Sequence, residues 1–180
     1  MESQAATAFT RLAPLPPPKI VAAAQPFNEN YNPENILKPP APSGRRADYA
    51  SRGLGERTFI DFDFGRPVRL AAFRHIQRRS PDTIAEANLV FSDAGDFKTA
   101  LATVKVKHVD EPGAETFAAF APVTSRYVRW QVTSVLPGRS RNVGGQGIEF
   151  FAAGKPEPAR AARNADGPGI GTTRIPASIT

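Results

Sequence analysis

The chain has 180 residues, 41% of them hydrophobic, with a formal net charge of +6, two histidines and no cysteine. A chain of that size holds one domain of ordinary dimensions with its own core. The missing cysteines exclude disulfide frameworks, thiol catalysis and cysteine-ligated zinc, and His75 and His108 are too few and too far apart for a histidine-rich catalytic metal centre.

Residues 1–19 are Ala-rich and close with Pro14, Pro16, Pro17 and Pro18, a composition that favours an extended, semi-rigid lead-in over packed structure. After a long polar stretch, residues 58–65 alternate Ile60, Phe62 and Phe64 against Phe59, Asp61 and Asp63, the period of a half-buried strand, and stop at Gly65-Arg66-Pro67. Residues 68–76 form the next strand. Its alternation slips between Ala72 and Phe73, which predicts a bulge or burial on both faces. A strand over 87–92 ends at the turn-forming Asp93-Ala94-Gly95-Asp96, with Phe97 folding back onto the core and a short helical turn near 97–101.

Strands over 102–107 and 116–120 follow. In the run 125–133, Val128, Trp130 and Val132 fall on one face and Tyr127, Arg129, Gln131 and Thr133 on the other. Arg126 and Arg129 are expected to cover apolar surface and pair with acids such as Asp61 and Asp63 rather than bind an anion. Residues 137–146 are too rich in Gly and Pro for helix and rich in hydrogen-bond donors, which makes this loop a candidate binding edge. A last strand, 147–151, precedes a tail from Gly154 to Thr180 of Gly, Pro, Ala and charged residues with little to bury. The tail reads as a flexible end, with docking through Ile170, Ile175 and Ile179 as the alternative. Many short strands with little helix predict an all-β sandwich or barrel.

Four pieces then occur in a telling order: Phe59-Ile60-Asp61-Phe62-Asp63-Phe64-Gly65; Phe91-Ser92-Asp93-Ala94-Gly95-Asp96-Phe97; the run from Phe120 to Trp130; and Gly147-Ile148-Glu149-Phe150-Phe151. Together they resemble the discoidin, or coagulation factor type C, domain of the galactose-binding-like superfamily, and most of all its bacterial branch, the family 32 carbohydrate-binding modules. The resemblance covers residues 20–153 and implies a jelly-roll β-sandwich between the lead-in 1–19 and the flexible tail 154–180.

It also implies binding through loops at one end of the sandwich, where three segments map: Asn28 to Ser51, His75 to Asp82 and Arg139 to Gln146. These offer Tyr31, Tyr49, His75, Gln77, Arg78, Arg79, Arg139, Arg141 and Asn142, the planar polar groups and aromatic rings that grip sugar hydroxyls and pyranose faces. His75 and Arg79 are the leading pair; Tyr49, Arg78, Arg139, Arg141 and Asn142 complete the expected ligand-binding set.

Members of the family often hold a structural Ca2+ in the first loop. Here Glu149 matches the last-strand acid and Asp48 is the candidate loop acid. Lys38-Pro39, where Asp-Gly is usual, and Ala47, where Thr is usual, argue against the cation. Without metal, Glu149 is expected to pair with Arg45 or Arg46.

The function implied is a non-catalytic carbohydrate-binding module that targets a larger secreted enzyme or adhesin to glycan, with an acidic glycan favoured by the arginine-rich loops. The alternatives are a discoidin-type protein- or phospholipid-binding adhesion domain and a structural domain of a larger enzyme. No catalytic residues are expected, because Asp61 and Asp63 at i and i+2 stand without other acid–base groups. The basic residues are mostly Arg scattered over strands and loops, with no basic helix or nucleic-acid motif, so no nucleic-acid partner is expected. No stretch approaches the ~20 apolar residues of a membrane span. The start lacks a secretory signal, so either the protein is intracellular or the chain follows a removed signal or lies inside a larger protein; the resemblance implies an extracellular or cell-surface place.

Overall fold

The structure, a computed structural model, describes residues 11–137 and 140–154. Its strands are β1 (Leu12–Pro14), β2 (Lys19–Ala23), β3 (Tyr49–Ala50), β4 (Phe59–Ile76), β5 (Ile84–Ser92), β6 (Ala102–Lys107), β7 (Glu115–Val135), β8 (Gly144–Gly145) and β9 (Gly147–Ala153). All pairings are antiparallel, in the order β1-β9-β4-β7-β5-β6 with β2 also on β4, while β3 and β8 form a small separate ladder.

Two expected strand pairs are single long strands. Gly65-Arg66-Pro67 bends the chain instead of ending it, because the partner strand continues alongside: Asp63 pairs Tyr127 and Val68 pairs Ser125, so residues 64–67 fall opposite Arg126 alone. Gly65, at φ 74°, supplies the left-handed turn that this corner needs. Further on, Leu70 pairs Val123 and Ala72 pairs Ala119, which leaves Ala71 opposite three residues of β7. Each long strand thus bulges once, and bulges coil and bend a ladder. The result is a sandwich whose two layers share strands: β2, the first part of β4, the last part of β7, β5 and β6 on one side, and β1, β9, the rest of β4 and the start of β7 on the other. The predicted slip lies one residue earlier than expected, and Leu70, Ala71, Ala72 and Phe73 are all buried, so this run faces the interior on both sides.

The core between the layers is built from Ile60, Phe62, Leu70, Phe73, Leu89, Phe91, Val128, Trp130, Val132, Ile148 and Phe150. Phe150 is its hub, with the edges of Phe62 and Phe64 at 5.2 and 5.3 Å and Phe73 tilted at 5.5 Å. Burying each such side chain contributes about 1.5–3 kcal/mol.

Two expectations fail here. The lead-in was expected to stay unpacked, but Leu12–Pro14 zips onto β9, Leu15 N–H donates to Phe150 O at 2.9 Å, and Leu15 packs on the core. The edge position explains why a proline is tolerated in β1. Residues 97–101 form bends rather than a helical turn, and Phe97, with φ 52°, lies under the Arg129 guanidinium at 4.6 Å instead of in the core. Residues 1–10 and 155–180, which include most of the tail, lie outside the described residues.

On the outer face, Arg126 grips Asp63 at 2.8 and 2.9 Å, and Arg129 grips Asp61 at 2.7 and 2.8 Å, both bidentate. Arg129 also stacks over Phe59 at 4.9 Å. The pairing is the expected one. Asp61 is buried beneath its arginine partner. The Arg126 guanidinium holds the Asp63 carboxyl down at about 2.

Candidate ligand-binding cleft

The three expected segments converge at one end of the sandwich, and a buried arginine ties them together. Arg78, just past the end of β4, donates through Nε to Asp48 of the first loop at 3.1 Å, through Nη1 to Asp82 of its own loop at 3.1 Å, and through Nη1 to the carbonyl of Asn142 in the last loop at 2.7 Å. Its guanidinium also lies over the Tyr31 ring, 5.3 Å from the centroid. Gln146 Nε2 donates to the second oxygen of Asp48 at 2.7 Å. Asn35, buried in the first loop, donates to the carbonyls of Asn30 and Asp48, both at 2.8 Å. A loop without regular structure keeps its shape only if its backbone groups find partners, and here side chains supply them.

Beside this network opens a cleft of about 580 Å3 lined by Asn30, Tyr31, Ala41, Ser43, Arg45, Arg46, Ala47, Asp48, Arg79 and Gln146. Its volume is that of a small-ligand site, roughly 300–1,000 Å3. Arg79 and Arg45 are exposed and Arg46 and Tyr31 are half-buried. Phe27, itself exposed, meets Tyr31 edge-on at 5.9 Å.

The expected ligand-binding residues separate. Arg79 lines the cleft. Arg78 is buried behind it as the tie between loops. Tyr49 is a core residue whose hydroxyl donates to Ala24 O at 2.9 Å, and burial pushes its phenol well above the usual range. His75, the other half of the leading pair, is fully buried. It stacks on Trp130 at 5.3 Å, meets His108 edge-on at 4.7 Å, and donates from Nε2 to Gly144 O at 3.1 Å. Burial holds its imidazole well below the usual histidine range and His108 at about 4. The bulge at Ala71 is what turns His75 inward.

Gln77 clamps Ile84 and Val109 from inside the fold. Arg141 pairs with Glu56, and Asn142 accepts from Gly53 N–H at 2.8 Å, so both hold the last loop against the Gly55–Arg57 turn and its approach. Arg139 lies outside the described residues.

Asn30, Ser43, Arg45, Arg46 and Gln146 enter the cleft without having been expected there as ligand contacts. The available signal was Gly44-Arg45-Arg46: a glycine turn, here at φ 76°, followed by two consecutive arginines.

The residues do not fit a calcium ion. Both Asp48 oxygens accept from cationic or amide donors. Lys38 Nζ donates to Asn35 Oδ1 at 2.8 Å and so brings its own charge into the loop. Glu149 is held by Arg74, at 2.5 Å, which also reaches Glu115 at 3.2 Å. This corrects the expected partner, Arg45 or Arg46; Arg74 stands directly opposite Glu149 in the β4–β9 register. Among the described residues no group of three or more His, Cys, Asp or Glu is placed to hold a metal.

No family model matches the chain, and no curated protein sequence matches it. Solved structures do. Chitosan-binding module 1 from the chitosanase/glucanase of Paenibacillus sp. IK-5 superposes with a TM-score of 0.57 at 12% identity, covering 75% of this chain and 95% of that one. A putative chitobiase fragment from Bacteroides thetaiotaomicron gives a TM-score of 0.62 at 13% identity, over 83% and 97% of the two chains. The family 32 carbohydrate-binding module of AlyQ, in complex with 4,5-unsaturated mannuronic acid, gives 0.57 at 16% identity, over 76% and 98%. The fold is therefore a β-sandwich of the kind these solved carbohydrate-binding modules have.

Proposed function

We propose that this chain is a non-catalytic carbohydrate-binding module whose ligand site is the cleft beside Tyr31 and Arg79. The observation that carries this reading is the cleft's equipment: a half-buried aromatic ring beside the planar polar groups of Asn30, Gln146 and three arginines. Sugars need that combination, an apolar surface for the ring face and forked donors and acceptors for paired hydroxyls. The structural neighbours that bind chitosan or a mannuronic acid derivative support it. Such a module works by bringing a larger secreted enzyme or adhesin to its glycan, where weak binding is multiplied by avidity.

Asp61 and Asp63, the carboxylates that could have served acid–base chemistry, are each consumed by a bidentate arginine. A cell-surface or extracellular place follows from this function. Among the described residues no helix is long and apolar enough to cross a membrane.

A glycan array probed with the whole chain, with and without a calcium chelator, tests the reading. Binding to a defined set of glycans is expected, unchanged by chelation and lost in Arg79→Ala. Retention on anionic lipid vesicles with no glycan bound would overturn it in favour of a phospholipid-binding discoidin role, and turnover of a glycoside would overturn the non-catalytic assignment.

A further inference from the structure

Most arginines with a carboxylate in reach in this protein are matched to it: Arg74 to Glu115 and Glu149, Arg78 to Asp48 and Asp82, Arg126 to Asp63, Arg129 to Asp61, Arg141 to Glu56. Among the described residues, Arg11, Arg52, Arg57, Arg66 and Arg69 are exposed and unmatched at separate places along the chain, whereas at the cleft three unmatched arginines gather around one concavity. Arg45, Arg46 and Arg79 all line it, and none has a carboxylate partner among the described residues. The acid in its lining, Asp48, is engaged elsewhere: one oxygen accepts from Arg78 and the other from Gln146.

Three like charges gathered around one concavity repel one another and focus a positive potential into it. An anion entering the cleft relieves that repulsion and meets planar forked donors. We propose that the cleft selects glycans carrying carboxylate groups, that is, polymers containing hexuronate residues. This rests on the carbohydrate-binding reading above and names its substrate class.

The chemistry of a hexuronate meets each part of the lining. Its flat carboxylate accepts the two parallel N–H donors of a guanidinium in one plane. Its ring presents an apolar face to Tyr31, and its hydroxyls present donors and acceptors to Asn30 and Gln146. A neutral sugar would use the ring and the polar donors but leave the charge of the three guanidiniums unmatched.

The test is titration calorimetry of the whole chain against polymannuronate, the same polymer with its carboxyls reduced to alcohols, and dextran sulfate, with Arg46→Gln and Arg79→Gln variants. Expected are binding of polymannuronate that weakens as salt rises, at least tenfold weaker binding of the reduced polymer, and a five- to tenfold loss in each variant with an unchanged melting temperature. Equal binding of the reduced polymer would overturn the carboxylate assignment and leave the glycan reading standing. Dextran sulfate bound as tightly as polymannuronate would overturn it too, as charge attraction without shape selection. Binding of none of the three, nor of any glycan on the array, would remove both readings.

Discussion

Replacing Arg78 by Met keeps an unbranched stem but removes the one guanidinium that touches all three loops. Arg78, Asp48 and Asp82 have side chains only 9%, 17% and 11% exposed, so the substitution strands two carboxylates in a region poor in water. Breaking a buried ion pair from one side costs about 3–5 kcal/mol. Asp48 keeps Gln146, and Asp82 keeps the Ser80 hydroxyl at 3.0 Å, which places the expectation at the lower end, about 3 kcal/mol. At roughly 4 °C per kcal/mol for a domain of this size, the melting temperature should fall by about 12 °C. Denaturant unfolding and calorimetry measure both numbers, and hydrogen exchange should show residues 28–48 losing protection. The double variant Arg78→Met with Asp48→Asn should recover part of the loss, because one stranded charge is gone. A destabilisation under about 1 kcal/mol, the range of surface pairs, would refute the view that Arg78 organises the cleft.

Acid should unfold the protein early. His75 and His108 have folded-state pKa values below their ordinary one, so the unfolded chain takes up protons first; their contribution is intact above about pH 6.5 and is lost as pH falls toward 4. For His108 that amounts to about 2 kcal/mol at pH 5, measurable by denaturant unfolding at pH 8 and pH 5, and a stability that stays flat between them would contradict the burial. Gly144→Ala should cost about 2 kcal/mol or more, because the added carbon would lie 2.1 Å from the Tyr49 carbonyl oxygen, and backbone cannot step aside; an unchanged melting temperature would show that the β3–β8 contact yields. Arg79→Ala should abolish glycan binding while Arg141→Ala, paired outside the cleft, leaves it intact; an equal loss in both would move the site toward the last loop.

Alternation was enough to locate most strand residues and the inward faces of Ile60, Phe62, Val128, Trp130 and Val132, since burial on a pleated surface repeats every two residues. It was also enough to pair Arg126 and Arg129 with Asp63 and Asp61, opposite charges on neighbouring outward positions. Continuity of the long strands was not legible, because Gly65-Arg66-Pro67 has the same composition whether it bends a ladder or ends it; the partner strand decides. The local chain likewise pointed to the loops that gather at one end without saying which side chains line the cleft. His75 looked like a sugar contact until a bulge four residues away turned it into the core, and Arg78 until its three partners, Asp48, Asp82 and Asn142, closed around it. What chain-local chemistry could specify was the sandwich and the end of it that carries loops. Which arginines stay unpaired depends on carboxylates up to 85 positions away in the chain, and only folding brings those together.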